Sequence, residues 1–153
     1  MAETGRKIIT RNRKASHDYE LLDTFDAGLV LTGSEIKSIR AGHANLREGY
    51  VQVRGDELWL LNVHIASYEQ AGVYGHEPLR PRKLLLHKRE IDRIASRVQE
   101  KGLTIVPTQL YLERGWAKVE IALARGKKQY DKRDALRERT SQRQIERALR
   151  DRD

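Results

Sequence analysis

Between Tyr19 and Ala124, apolar residues recur mostly at every second position, in short runs parted by turn residues. A period of two suits β-strands and little else, so it constrains this chain more than any single residue does. Tyr19, Leu21, Phe25, Ala27, Leu29 and Leu31 fall on one face of a long strand, interrupted at Asp23 and able to bend at Gly28. Tyr50–Arg54 and Glu57–Ala66 read as two strands joined at Gly55-Asp56, a good tight-turn pair. In the second of these, Trp59, Leu61, Val63 and Ile65 alternate with Leu58, Leu60, Asn62 and His64. Lys83–Leu86 is a short apolar run, and Leu103–Val106 and Gln109–Glu113 are strands parted by Pro107. Arg114-Gly115 then turns the chain into Trp116–Ala124, where Ala117, Val119, Ile121 and Leu123 share a face.

Two helical stretches interrupt the strands. Thr32-Gly33-Ser34-Glu35 has the spacing of a capping box, in which the Thr32 hydroxyl caps the Glu35 amide and the Glu35 carboxylate reaches back. A short helix follows with Ile36 and Ile39 inward, stopping before Gly42. The second helix spans 88–101 with Ile91, Ile94, Ala95 and Val98 on its core face, and Gly102 ends it. Residues 67–82 contain Gly72, Gly75, Pro78 and Pro81 without any period and read as a surface loop. The pattern therefore predicts a mainly β fold with two to three helices and about six antiparallel strands. Closing such strands into a small barrel of oligonucleotide-binding type removes their edges. A two-layer α+β sandwich is the alternative.

Charge divides the 153 residues differently. The net charge is +8, and residues 125–153 hold eleven Lys/Arg against six Asp/Glu. The first fourteen residues carry Arg6, Lys7, Arg11, Arg13 and Lys14 against Glu3. The expected organisation is a flexible basic arm over 1–14, a folded body over 15–125 and a basic tail over 126–153. Positive ends favour a polyanionic partner. The tail has few apolar groups but good helix formers, and at 3.6 residues per turn Arg139, Arg143, Arg147 and Arg150 share a face. Those arginines repel one another, so the expectation is disorder in the free protein and a helix once an anion lines that face. The alternative is a helix packed on the body through Ile145 and Leu149.

Several function classes are disfavoured. With no cysteine there is no disulfide or thiolate metal site, and a reducing compartment suits the chain. No apolar run approaches the roughly 20 residues of a membrane span, and the N-terminus lacks the apolar core of a secretory signal, so a cytoplasmic protein is expected. His17, His43, His64, His76 and His87 are scattered without metal-ligand spacing. No nucleophile elbow, phosphate loop or dinucleotide fingerprint is present, so no catalytic residue, metal or cofactor is expected. Nucleic acid fits better: basic ends supply phosphate contacts, and Tyr50, Tyr68, Tyr74 and Tyr130 are available to stack on unpaired bases. Tyr130 lies between Lys127-Lys128 and Lys132-Arg133, an aromatic flanked by cations.

Four stretches carry a family resemblance. They are Asn12-Arg13-Lys14-Ala15-Ser16-His17-Asp18-Tyr19; Ala27-Gly28-Leu29-Val30-Leu31-Thr32-Gly33-Ser34-Glu35-Ile36-Lys37-Ser38-Ile39-Arg40-Ala41-Gly42; Arg82-Lys83-Leu84-Leu85-Leu86-His87; and Gly126-Lys127-Lys128-Gln129-Tyr130-Asp131-Lys132-Arg133. In that order they resemble the small protein B family, the SsrA-binding proteins of bacterial trans-translation. The resemblance implies a monomeric, non-enzymatic adaptor of oligonucleotide-binding fold with two partners, transfer-messenger RNA and the ribosome with its 16S rRNA. The body would bind the tRNA-like domain of transfer-messenger RNA, and the tail would enter the decoding centre and empty mRNA channel of a stalled ribosome. By position, RNA contacts would fall on Asn12 with Arg13 and Lys14, and on Asp26, Glu35, Lys37, Tyr50, Leu85 and Lys118. Ribosome contacts would fall on Lys127, Lys128, Tyr130, Asp131, Lys132 and Arg133, then on Arg139, Arg143 and Arg147. Glu is common in the family where this chain has the shorter Asp26, and a tail aromatic that some members carry near Ser141 is missing here. Read by their chemistry alone, Glu35 is also explained by the helix cap, Leu85 by a core and Lys118 by solvent. A ribosomal structural protein, or a general binder of structured RNA, remains the alternative function.

Overall fold

The structure, a computed structural model, describes residues 6–67 and 77–126. The expectations for the tail, from Lys127 through Arg147, and for Tyr68 and Tyr74 lie outside the described residues. In chain order the elements are β1 (Arg6–Arg11), α1 (Arg13–Asp18), β2 (Tyr19–Leu29), α2 (Gly33–Arg40), β3 (Ala44–Asn45), β4 (Tyr50–Arg54), β5 (Glu57–Leu61), β6 (His64–Ile65), β7 (Arg82–Leu85), α3 (Lys88–Lys101), β8 (Thr104–Glu113) and β9 (Trp116–Gly126).

Six strands close into a ring in the order β8-β4-β5-β7-β2-β9 and back to β8, and every pairing is antiparallel. The ring matches the expected strands with two changes: the short apolar run at 83–86 supplies β7, and the two strands expected over 103–113 are one, β8. Three more stand outside the ring: β1 adds to β8, and β3 pairs with β6 in a separate two-stranded sheet. Inward residues of the ring form one core, with Leu58, Leu60, Leu84, Ile105, Leu110, Val119, Ile121 and Leu123 at 2% exposure or less. Helix α2 adds Ile39 to this core and α3 adds Ile94. Both helices end as the sequence predicts, the first with the full Thr32/Glu35 capping box and the second at Gly102, whose φ of 65° is left-handed. Arg114 and Gly115 both take positive φ, 52° and 84°, which gives the β8–β9 hairpin a two-residue turn whose twist matches its strands.

Four local expectations are corrected. The arm is not free from Arg6 onward: β1 pairs with β8 from Arg6↔Glu113 to Arg11↔Gln109, and Asn12 caps a short helix, α1. Alternation could not show α1, because six residues hold too little period to register. Tyr19 and Leu21 do not share a face with Phe25. The β2–β9 register shifts between Leu21 and Thr24, so one extra residue sits on β2 and reverses the phase. Leu22 and Phe25 then pack on the main core, while Tyr19 and Leu21 pack on a smaller cluster with Ala15, Val106 and Ala124. The single strand expected over Glu57–Ala66 breaks at Asn62, which takes a φ of 60°, and His64–Ile65 leaves the ring to pair with β3. Conversely, Pro107 does not divide β8, because a second register shift between Pro107 and Gln109 accommodates it.

Candidate RNA interface

Residues directly opposite in a sheet share a face, so the register locates the outer surface of the ring. Gly28 pairs with Leu85 on one side and with Lys118 on the other, which sets Leu85, Gly28 and Lys118 in one outward row across β7, β2 and β9. Asp26 lies two residues back along β2, opposite Glu120. Gly28 leaves room at the middle of the row, where a Cβ would stand 3.4 Å from the Leu85 Cβ. The result is an open depression of about 350 Å³ lined by Asp26, Gly28, Leu85, His87 and Lys118 among others. Three predicted RNA contacts, Asp26, Leu85 and Lys118, thus converge from three strands. Leu85 is 52% exposed, which removes the alternative that it is core.

Asp26 is held from beneath. The Tyr111 hydroxyl donates to its Oδ1 at 2.7 Å, and Arg6 reaches the same oxygen at 3.7 Å. The Arg6 guanidinium lies 3.9 Å over the Tyr111 ring, which is fully buried there. Burial pushes the Tyr111 phenol well above its usual range, and the Asp26 carboxylate that it serves pushes it further. Tyr111 therefore stays a donor, and both partners hold Oδ1 while half of the side chain remains exposed. Lys118 Nζ donates to Glu113 Oε1 at 3.0 Å, and that bond holds the Glu113 carboxyl below its ordinary range. A half-exposed pair of this kind is weak, so a phosphate can compete for Lys118.

A second hollow of about 210 Å³ gathers Lys14, Arg47 and Tyr50 between α1 and the start of β4. Tyr50 is 44% exposed, Lys14 pairs with Glu48 at 2.7 Å, and Arg13 lines a neighbouring hollow with Arg11 and Arg47. Lys37 is exposed on α2 and lines neither depression.

Two of the expected contacts, Asn12 and Glu35, are buried and bonded within the fold. Asn12 is 7% exposed and its side chain is fully engaged: Nδ2 donates to Leu46 O at 3.1 Å and Pro107 O at 2.9 Å, and Oδ1 accepts from the Ala15 amide. Asn12 fastens α1 to the ring and so positions Lys14, and it also lines the hollows on either side of that helix. The Glu35 side chain has no exposed surface. Its carboxylate accepts from Arg80 Nη2 at 2.6 Å, Arg82 Nε at 2.7 Å and the Thr32 amide at 2.8 Å. Burial alone would raise its pKa, but the bonds from Arg80, Thr32 and Arg82 outweigh it and hold the carboxyl at about 2. Arg82, itself fully buried, also donates to Val63 O and Pro78 O. Sequence alone missed Arg6, Tyr111, Arg80 and Arg82. Of these only Arg82 left a trace, since it shares the inward phase of Leu84 in β7.

The β7–β2–β9 depression offers a cation, an oriented acceptor and an exposed apolar group, which is the chemistry of phosphate and base recognition. Among the described residues no cluster of three or more His, Cys, Asp or Glu could hold a metal ion, and no helix is long and apolar enough to cross a membrane.

Known proteins resemble this chain over nearly its whole length. Residues 9–151 match the family model described as SmpB protein. An SsrA-binding protein of Roseiflexus sp. (strain RS-1) is 60% identical over 147 residues, covering 95% of this chain and 93% of its own. One of Acidothermus cellulolyticus is 58% identical, covering 96% and 92%, and one of Streptomyces coelicolor is 56% identical, covering the same shares. A solved chain described as "tmRNA-SmpB: a journey to the center of the bacterial ribosome" superposes with a TM-score of 0.68 at 46% identity, covering 84% of this chain and 94% of that one. With the family model spanning most of the sequence and relatives matched over more than nine-tenths of both chains, this chain belongs to the SmpB protein family.

Proposed function

We propose that this protein is an RNA-binding adaptor of trans-translation that acts in the bacterial cytoplasm. It binds the tRNA-like domain of transfer-messenger RNA and brings it to stalled ribosomes. The relatives are SsrA-binding proteins, and the similar solved chain belongs to a tmRNA-SmpB assembly on the ribosome. The observation in this molecule that best supports the reading is the convergence of Asp26, Leu85 and Lys118 in one outward depression. Lys118 meets a phosphate, Asp26 accepts from a base amine or ribose hydroxyl, and Leu85 packs on an exposed base face. Arg13, Lys14 and Tyr50 form a second contact area around the α1 hollow, and Lys37 adds a cation from α2. Glu35 and Asn12 serve by holding these surfaces in place. No reaction is assigned to the chain, because recognition and delivery need none.

The tail completes the adaptor. Lys127, Lys128, Tyr130, Asp131, Lys132 and Arg133, followed by Arg139, Arg143 and Arg147, occupy the decoding centre and mRNA channel, where their charge suits rRNA phosphates. Sequencing the small RNAs that copurify with the protein tests the reading. One abundant tRNA-like transcript should dominate, whereas bulk tRNA or rRNA without such enrichment would reject it. A chain ending at Gly126 should keep its RNA affinity and lose tagging on stalled ribosomes. Loss of RNA affinity would contradict this division of labour.

A further inference from the structure

The structure exposes Trp116 to 74%, Leu85 to 52% and Val30 to 45%, and the strand register makes them neighbours. Trp116 opens β9 opposite Glu113. Continuing the β2–β9 register two residues beyond Gly28↔Lys118 sets Val30 opposite Trp116. On its other side, the Val30 amide donates to Lys83 O at 3.1 Å, and Lys83 lies two residues from Leu85 on β7. With strands about 4.8 Å apart and alternate residues about 7 Å apart, these positions span roughly 10 Å by 7 Å, the footprint of a nucleobase. Lys118 and Lys83 stand at the edges of the patch, each half-exposed and paired only to a surface carboxylate, Glu113 and Glu57. Among the described residues the Trp116 indole N–H has no hydrogen-bond partner. An indole left this open contributes little packing to the fold, and its apolar face is available to a partner.

We propose that Trp116, Val30 and Leu85 form a platform on which an unpaired or splayed base of the bound RNA stacks, with Lys83 and Lys118 gripping the flanking phosphates. The proposal rests on the RNA-binding reading above and adds a contact mode and three residues, Trp116, Val30 and Lys83, to it. An RNA occupant fits better than a protein one because the patch is edged by lysines and continues into the Asp26–Lys118 depression.

The chain has two tryptophans, so Trp59→Phe in the full-length protein leaves Trp116 as the only indole. Titrating that variant with a transcript of the tRNA-like domain of transfer-messenger RNA should quench Trp116 fluorescence along the binding curve and shield it from acrylamide. Trp116→Ala should weaken binding on the order of tenfold with an unchanged salt slope, since stacking releases no counterion. Trp116→Phe should recover most of that loss, and Lys83→Ala should lower the slope by about one. The thermal midpoint of Trp116→Ala should match the parent. Normal RNA affinity of Trp116→Ala with unchanged Trp116 emission would overturn the platform and leave the RNA-binding reading standing, whether or not ribosome affinity falls. No binding of the transcript by the parent protein would remove the reading and the platform together.

Discussion

Asp26 and Glu35 lie nine residues apart, and both belong to the expected RNA contacts, yet the fold sets them in opposite environments. Glu35 is sealed in the first turn of α2, with Arg80, Arg82 and the Thr32 amide on its oxygens. Asp26 stands half-exposed on the outer face of the ring, held at one oxygen by Tyr111 and Arg6. A carboxylate enclosed by donors fixes a structure, because each neighbour would be left unsatisfied without it. A carboxylate gripped on one side and open on the other is oriented for an outside donor. The two residues thus separate what holds the binding face together from what the face presents.

Breaking the buried member should produce the largest effect. Glu35→Ala leaves Arg82 charged and buried without its counter-ion, and should destabilise the protein by about 3–5 kcal/mol in denaturant titration. A loss below about 1 kcal/mol would mean that the arginines relax to solvent. Acid probes the same residue without mutation. Its folded pKa of about 2 lies below the ordinary 4.5, so its contribution is fully present above the ordinary value and is lost as pH falls towards 2. That amounts to about 3 kcal/mol, and Glu35→Gln should flatten this part of the stability profile.

On the exposed side the effects on folding should be smaller. Tyr111→Phe removes the hydroxyl bonded to Asp26 and should cost about 1 kcal/mol of stability. It should also weaken RNA binding, because Asp26 is no longer oriented, and adding Asp26→Asn to the Tyr111→Phe protein should deepen that loss only slightly. Lys118→Ala should change stability by less than about 0.5 kcal/mol and lower the salt slope of RNA binding by about one. An unchanged slope would return Lys118 to a solvated lysine.

The division between these two carboxylates was legible in the sequence only in part. The Thr32/Glu35 spacing announced a capping box, and the structure contains it. That Arg80 and Arg82 would close over the same carboxylate was hidden, because they arrive from some 45 residues downstream through a segment without period. Alternation placed Ala27, Val119 and Ile121 inward correctly, and therefore Asp26 and Lys118 outward. It failed at Leu21 because a bulge adds one residue without any mark in composition, and at Asn62 because a positive φ there ends the strand. Nothing in the sequence sets Tyr111 apart within Gln109–Glu113. Only β1, which pairs with β8 and brings Arg6 over the Tyr111 ring, turns it into a support for Asp26.

The most direct test compares the two sides in one assay: binding of the tRNA-like domain of transfer-messenger RNA to Glu35→Gln and Lys118→Ala proteins, each scaled to its folded fraction. The account predicts that Glu35→Gln binds like the parent per folded molecule, while Lys118→Ala, fully folded, binds more weakly and with a smaller salt dependence. Weakened binding by folded Glu35→Gln together with parental binding by Lys118→Ala would contradict it.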